Sequence, residues 1–246
     1  MDRALYVSMS GATQTLLAQA ANSNNLANAS TTGFRAQLID AQSVAVTGAG
    51  LPSRVNAQLQ DQGWDSTPGA VTQTGRELDV ALQQGDWLAV QASDGSEAYT
   101  RAGNLTVDAY GQLLTGSGQP VLGDNGPISV PPYSTIKVGA DGTISIVPAG
   151  QNPNTVATVG RLRVVQATPT QLLRGTDGLM RAAPGVTLDS ASGETLVSGA
   201  LEGSNVDLAT TMVTMIQLAR QFDLQTKLMK TAEDNSSASS SLLQMT

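Results

Sequence analysis

The sequence of this chain is typical of helix only at its two ends, and the long stretch between them is typical of short strands and turns. Apolar residues recur at helical spacing from about Leu5 to Leu26 and again from about Val206 to Met229. We therefore predict an α+β protein whose N- and C-terminal helices pair as a coiled-coil domain, with a central all-β domain between them. This organisation favours an assembly subunit over an enzyme.

The predicted N-terminal helix, residues 3–28, has a narrow apolar stripe flanked by small residues that allow another helix to approach closely. The stripe consists of Leu5, Met9, Ala12, Leu16 and Leu26. Asn25 and Asn28 belong to a polar segment that could be a binding loop, although asparagine side chains more often bond backbone groups at a helix end. Gly33 is predicted to end the helix in a left-handed conformation.

The predicted C-terminal helix, residues 205–233, has the seven-residue repeat of a coiled-coil seam. The repeat consists of Leu208, Met212, Met215, Ala219, Phe222 and Met229. Ser204 or Asn205 is the predicted N-cap of this helix. Further apolar residues, such as Ile216 and Leu224, widen the stripe, so we expect the helix to touch more than one partner. The Ser-rich tail beyond it either frays or continues the helix.

The middle of the chain has two parts. The first lacks sustained periodicity and contains several Gly and Pro breaks, which predicts an extended connector that can carry a loose hairpin. The second alternates short apolar runs with turn signals such as Asp94-Gly95 and Asp141-Gly142, as antiparallel hairpins do. The predicted domains are a discontinuous helical domain, the connector and the β domain: residues 1–35 with 204–246, 36–75, and 76–203.

Composition excludes much of the usual chemistry of enzymes. The chain has no Cys and no His, so it lacks thiolate ligands as well as the commonest general base. Its 13 basic and 20 acidic residues give a net charge of −7, which disfavours binding to a nucleic-acid backbone. No apolar run approaches the length of a membrane span. We therefore predict no catalysis, no cofactor, no metal, no nucleic acid and no direct membrane insertion.

Four aspartates of the predicted β domain could suggest a carboxylate pair or a calcium site: Asp94, Asp108, Asp124 and Asp141. However, the calcium-loop pattern D-x-[DN]-x-[DN]-G does not occur in the chain. Three of the four lie within two residues of a turn glycine or asparagine, and aspartate is favoured in turns because its carboxylate bonds nearby backbone amides. We therefore predict that these residues stabilise turns.

Three segments resemble one family, the bacterial flagellar rod and hook proteins. The run NNLANASTTGFR at 24–35 matches the family's N-terminal signature, roughly N-N-L-A-N-x-x-T-x-G-F/Y-K/R. The segment 85–123, with YTRAGNL at its centre, resembles the β-domain motif of the family. The segment 199–225, which begins GALEGSNVD, resembles its C-terminal helix. Length and the run at 33–38 resemble the proximal rod proteins most, and the distal rod proteins are the nearest rivals.

The resemblance implies a fold with an inner coiled-coil domain and an outer β domain. It implies a structural subunit of the proximal rod, which polymerises through its terminal helices into a hollow helical drive shaft. The expected partners are copies of the chain, other proximal and distal rod proteins and the flagellar type III export apparatus. We expect a location in the periplasmic part of the basal body and export without a cleaved signal peptide. The expected assembly interface comprises both stripes together with Asn25 and Asn28.

Two alternatives remain open at this point. One is a distal rod subunit of the same family. The other is a non-flagellar secreted adhesin or binding module, in which the helices form a self-contained stalk. The adhesin would be an ordered monomer or a small coiled-coil oligomer, whereas a rod subunit would present an interface for open-ended assembly.

Overall fold

The computed structural model describes residues 3–45, 55–152 and 154–244. Contacts within the chain divide it into two compact units, which we call the helical unit and the β unit. The helical unit contains Met1–Ala29, Gln37–Gly63 and Val206–Thr246, and the β unit contains Ser30–Ala36 and Trp64–Asn205. The chain therefore passes four times from one unit to the other.

The helical unit consists of two long helices and a hairpin. Helix α1 is Arg3–Ala27 and helix α2 is Leu208–Gln244. Strands β1, Gln37–Ala45, and β2, Val55–Trp64, pair with each other within the stretch predicted as a connector. The predicted α+β class with helices at both ends is confirmed. Helix α2 continues through the Ser-rich tail, and neither described helix has the combination of length and apolarity needed to cross a membrane.

Helix α2 is capped by Asp207. The Asp207 carboxylate accepts hydrogen bonds from the backbone N–H of Ala209 at 2.8 Å and of Thr210 at 3.3 Å. The pKa of the Asp207 carboxyl is lowered by these bonds, most by the one from the Thr210 N–H, and also by a bond from the Thr210 hydroxyl. The predicted N-cap, Ser204 or Asn205, is therefore wrong, and the Asn205 side chain is bonded to Ala36 instead.

The β unit is built of short strands linked by tight turns. They are β3 Val71–Gln73, β4 Val80–Leu82, β5 Asp86–Gln91, β6 Glu97–Thr100, β7 Leu105–Val107, β8 Leu113–Thr115, β9 Leu122–Gly123, β10 Gly126–Pro127, β11 Tyr133–Val138, β12 Thr143–Pro148, β13 Ala157–Arg161, β14 Val164–Gln166, β15 Leu172–Arg174, β16 Met180–Ala182, β17 Asp189–Ser190, β18 Leu196–Ser198 and β19 Ala200–Glu202. A short 3-10 turn, Pro169–Gln171, precedes β15.

Strand pairing in the β unit is antiparallel. The largest sheet has six strands in the order β15-β16-β6-β5-β14-β17, and a second has the order β11-β12-β13. Four two-stranded ladders complete it: β10-β9, β18-β4, β19-β3 and β7-β8. The ladders β18-β4 and β19-β3 are long-range pairings, and they bring the C-terminal end of this unit back to its first strands.

Apolar side chains of the strands fill the interior of the β unit. The larger cluster includes Leu88, Val90 and Leu105, none of which has exposed surface. A smaller cluster contains the two tryptophans of the chain, Trp64 and Trp87, whose rings meet edge to face with centroids 5.2 Å apart. The burial of these side chains gives the β unit a core of its own.

Three of the four aspartates considered as ligands stabilise turns, as predicted. The carboxylates of Asp94, Asp108 and Asp141 each accept a hydrogen bond from a backbone N–H two residues later, at 2.9, 2.9 and 3.1 Å. Asp124 also lies in a tight turn, between β9 and β10. Within the described residues, no three acidic groups are close enough together to hold a metal ion.

Candidate assembly interface

Helices α1 and α2 pack against each other along a seam of small and polar residues. The Asn22 side chain donates a hydrogen bond to the carbonyl of Thr211 at 2.9 Å. Further along, the amide of Gln225 covers Gly11, where an added Cβ would lie 2.9 Å from Gln225 Nε2. Because residue 22 meets 211 and residue 11 meets 225, the helices run antiparallel.

The buried positions of this seam are mostly polar. Ser8, Thr15 and Thr211 are buried, together with the small residues Ala12 and Ala232. Thr15 satisfies its hydroxyl by donating to the carbonyl of Gly11 at 2.9 Å. The large apolar side chains of the described helices are at most half-buried, so the hydrophobic effect stabilises this pairing less than it stabilises a fully apolar core.

Large apolar side chains of the two helices lie instead at exposed positions. We call this set the outer apolar face, and each of its members keeps between 48% and 61% of its surface exposed. It consists of Tyr6, Met9, Leu16, Leu17, Leu208, Met212, Val213, Ile216, Leu224 and Leu228. A helix pair that fully buries polar residues and exposes this many large apolar ones departs from the usual pattern, and exposed apolar surface of this extent is typical of an interaction site.

The predicted interface residues fall into three groups. Those exposed are Met9, Leu16, Leu208, Met212 and Ala219. Those half-buried are Leu5, Leu26, Met215, Phe222 and Met229, and Ala12 is buried. The repeat predicted on α2 therefore does not form a single seam within the chain, because three of its six members are exposed. Thr211, a polar residue that an apolar pattern does not identify, is buried.

The two asparagines of the predicted interface bond backbone groups near the end of α1. Asn25 accepts a hydrogen bond from the N–H of Gln37 at 2.8 Å and donates one to its carbonyl at 3.0 Å. The Asn28 side chain donates to the carbonyl of Asn24 at 2.9 Å. These bonds fix the start of β1 beside the last turn of the helix, in accordance with the preference of asparagine for such positions.

Gly33 has the predicted left-handed conformation, with φ of +68°, but the helix ends earlier, at Ala27. The prediction that Gly33 ends α1 is therefore wrong. The glycine is needed for a different reason: an added Cβ would lie 2.3 Å from the backbone carbonyl of Arg101. This close approach lies within the β unit and leads to a cluster that the sequence did not reveal.

Two arginines share one buried carboxylate in the β unit. Glu202 forms ion pairs with Arg35 at 2.6 Å and with Arg101 at 2.5 Å, and the three side chains are only 2–3% exposed. Arg101 also donates to the backbone carbonyls of Leu82 and Asp86. Burial, partly offset by Glu202 and reinforced by the like charge of Arg101, lowers the pKa of Arg35.

Each of the three charged residues comes from a different motif of the sequence. Arg35 ends the N-terminal signature, Arg101 lies in the YTRAGNL run of the β motif, and Glu202 lies in the GALEGSN run that precedes α2. The sequence signal for the cluster was weak, since the short runs GFR, YTRAGNL and GALEGSN each contain one charged residue. Motifs that lie far apart in the chain therefore converge on one polar cluster.

Comparison with known proteins supports the resemblance along the whole chain. Three family models match: flagella basal body rod protein at residues 5–35, flagellar hook protein FlgE/F/G D1 domain at 81–146, and flagellar basal body rod FlgEFG protein C-terminal at 197–242. The three charged residues just described are divided among these models, since Arg35, Arg101 and Glu202 each fall within a different one.

Full-length relatives match as well. The chain is 48% identical to flagellar basal-body rod protein FlgF of Escherichia coli and 47% identical to that of Salmonella typhimurium, with all of both chains covered in each comparison. It is 30% identical to flagellar basal-body rod protein FlgG of Bacillus subtilis, over 95% of this chain and 96% of the relative. This chain belongs to the family of flagellar basal-body rod proteins.

Proposed function

We propose that this chain is a structural subunit of the flagellar basal-body rod and that it polymerises through the outer apolar face of its terminal helices. The observation that carries the proposal is the inverted polarity of the helix pair. The fully buried positions of its seam are mostly polar, with Asn22 bonded to Thr211, while Leu16 and Met212 lie half-exposed. Neighbouring subunits would remove that surface from water.

The outer apolar face is large enough to drive assembly. Full burial of one large apolar side chain contributes about 1.5–3 kcal/mol, so covering ten half-exposed side chains contributes on the order of 10 kcal/mol. Association costs roughly 4–15 kcal/mol in lost freedom of motion, so contact with one neighbour is marginal and contact with several is favourable. Contacts that repeat head to tail without closing generate a helical filament.

The proposed neighbours in the rod are copies of this chain and other proximal and distal rod subunits. The higher identity to FlgF proteins than to the FlgG protein of B. subtilis supports a position in the proximal rod. The matches also favour this role over the secreted adhesin. In the assembled rod, the helices would form the inner, channel-lining domain, and the β unit would form the outer layer and transmit torque.

The finer parts of the proposal concern chemistry, location and export. We propose that the subunit has no catalytic activity, as the names of its relatives indicate. It would reside in the periplasmic part of the basal body. It would reach that place through the flagellar type III export apparatus and without a cleaved signal peptide.

The proposal is tested by placing a charge on the outer apolar face. Leu16→Asp and Met212→Asp should abolish motility when expressed in a bacterium that lacks its own copy of the protein, because a buried carboxylate at each repeated contact opposes assembly. Ser240→Asp is the matched control, since it adds the same charge to an exposed polar stretch of α2. Circular dichroism should show that the isolated variants fold like the unchanged protein. Normal motility in both outer-face variants would contradict the proposal.

A further inference from the structure

The three segments through which the chain enters or leaves the β unit are held together inside it. They are the short stretch from Ser30 to Ala36, the residues that follow Trp64, and the stretch that ends at Asn205. Each adjoins a place where the chain passes to the helical unit. Any force that reaches the β unit through the backbone enters by one of these segments.

The side chain of Asn205 joins all three segments. Its oxygen accepts a hydrogen bond from the backbone N–H of Ala36 at 2.7 Å. Its amide nitrogen donates to the backbone carbonyls of Asp65 and Thr67, both at 3.1 Å. The backbone N–H of Asn205 also donates to the carbonyl of Phe34 at 3.3 Å. Both ends of this amide side chain are therefore used to tie separate segments together.

Glu202 makes a second set of ties among the same segments. One carboxylate oxygen accepts the backbone N–H of Gly69 at 2.9 Å and pairs with Arg35 at 2.6 Å. The other oxygen pairs with Arg101, and the backbone carbonyl of Glu202 accepts the N–H of Gly33 at 2.8 Å. Arg35 in turn donates to the backbone carbonyl of Thr67.

The chemistry of this cluster suits positioning better than stability. Removing ions from water is costly, so a buried ion group contributes little net stability compared with well-packed apolar residues. Charge-assisted bonds to backbone groups are directional, however, and they hold the segments in one arrangement. An apolar cluster would tolerate sliding between the segments, whereas bonds to the amides of Ala36 and Gly69 do not.

We propose that Asn205 and Glu202, with Arg35 and Arg101, form a clasp that bundles the three segments so that mechanical load enters the β unit through one rigid element. We call this group the crossing clasp, and Asn205 and Glu202 are its positioning residues. The inference rests on the proposed role of the chain as a rod subunit. Without the clasp, each crossing would carry load as a separate extended strand.

The first test measures amide hydrogen exchange in the full-length chain. Asn205→Ala should make the N–H of Ala36 exchange at least about tenfold faster, because its acceptor is removed. The N–H of Gly33, which bonds the Glu202 carbonyl, should change much less. Asn205→Asp keeps an acceptor for Ala36 but loses the two donated bonds, so the N–H of Ala36 should stay protected. The control is Asn125→Ala, in the exposed turn between β9 and β10.

The second test measures motility under load. Cells that produce the Asn205→Ala protein should swim normally in dilute buffer and lose at least about half of their relative speed in viscous medium, whereas Asn125→Ala cells should not. Equal protection of Ala36 in all variants would overturn the clasp. Faster exchange with normal motility at every viscosity would overturn its role in carrying load.

Two further outcomes keep the inference separate from the proposed function. Asn205→Ala could unfold the β unit as a whole, which would show as lost protection throughout that unit and a shift in the fluorescence of Trp64 and Trp87. In that case the motility of Asn205→Asp cells under load is the test. Normal motility of these cells in viscous medium would overturn the inference. The outer-face variants Leu16→Asp and Met212→Asp leave the crossing clasp intact. Their failure to block motility would contradict the proposed function, whatever the behaviour of the Asn205 variants.

Discussion

The two units of this protein differ in where their large apolar side chains lie: inside the β unit, but at the surface of the helical unit. In the β unit, Leu88 and Leu105 have no exposed surface and pack inside a core. In the helical unit, Leu16 and Met212 are about half exposed, with 49% and 53% of their surface in water, while Thr15 is buried in the seam. The same kind of side chain therefore stabilises the fold in one unit and remains available to partners in the other.

If the proposed assembly is right, the two units depend on it to different degrees. The β unit buries its apolar residues and pairs the buried charges of Arg35, Arg101 and Glu202 within itself. The helical unit buries no large apolar side chain in its described helices, and in the proposed rod other subunits would complete its stability by covering the outer apolar face. A subunit of this kind can keep its β unit folded on its own, while its terminal helices adjust to the partners proposed for them.

The largest expected effect is a contrast in amide hydrogen exchange within the isolated chain. Amides in α1 and α2 should exchange on the order of a thousandfold faster than those of Leu88 and Val90, because local opening of the helix pair costs far less than opening of the β core. Mass spectrometry of the unassembled protein measures both in one sample. Helices as strongly protected as the core would show that the helical unit does not depend on partners.

A matched pair of truncations should separate the two units next. Leu88→Ala removes part of a fully buried side chain and should lower the free energy of unfolding of the β unit by about 2–5 kcal/mol. Leu16→Ala removes the same atoms from an exposed position and should change the stability of the isolated chain by no more than about 0.5 kcal/mol. Denaturant titration followed by tryptophan fluorescence reports the first, and circular dichroism reports the second. Similar losses for both variants would contradict the comparison.

Local sequence patterns predicted the elements of the fold well. Helical periodicity identified both terminal helices, and Asp-Gly pairs identified the turns at Gly95 and Gly142, which have φ of +81° and +86°. Such features depend on residues close together in the chain. These elements could therefore be predicted, because each has its own periodic or turn signal in the sequence.

Features that depend on distant residues could not be predicted in the same way. Residues such as Ser8 and Thr15 occupy the seam between the helices, and counting apolar positions overlooks them. The bond between Arg101 and Glu202 joins residues that are 101 positions apart, and no local pattern encodes that pairing. Part of the outer apolar face was predicted, as the widened stripe of α2, but which residues of that stripe are exposed depends on how the helices meet.

Two glycines provide a smaller and more specific comparison. A Cβ on Gly103 would lie 1.7 Å from the backbone carbonyl oxygen of Val80, so Gly103→Ala should destabilise the β unit by about 1–3 kcal/mol or more. A Cβ on Gly11 would meet only the flexible end of Gln225, so Gly11→Ala should stabilise α1 by up to about 1 kcal/mol. Thermal unfolding of each variant checks both signs. A destabilising Gly11→Ala would mean that the Gln225 side chain cannot move.

The smallest expected effect is the pH dependence of the start of α2. Hydrogen bonds from Thr210 and Ala209 lower the pKa of Asp207 in the folded chain below its ordinary value of about 3.9. The folded state therefore favours the ionised carboxylate, and the stabilisation is complete above the ordinary value and disappears as the pH falls through the lowered one. Helicity measured by circular dichroism from about pH 5 to about pH 2 should thus fall further in the unchanged protein than in Asp207→Asn, whose amide caps the helix without titrating. Identical titrations of the two proteins would show that the Asp207 cap does not contribute to the stability of α2. The first turn of α2 would then also depend on partner subunits for its stability.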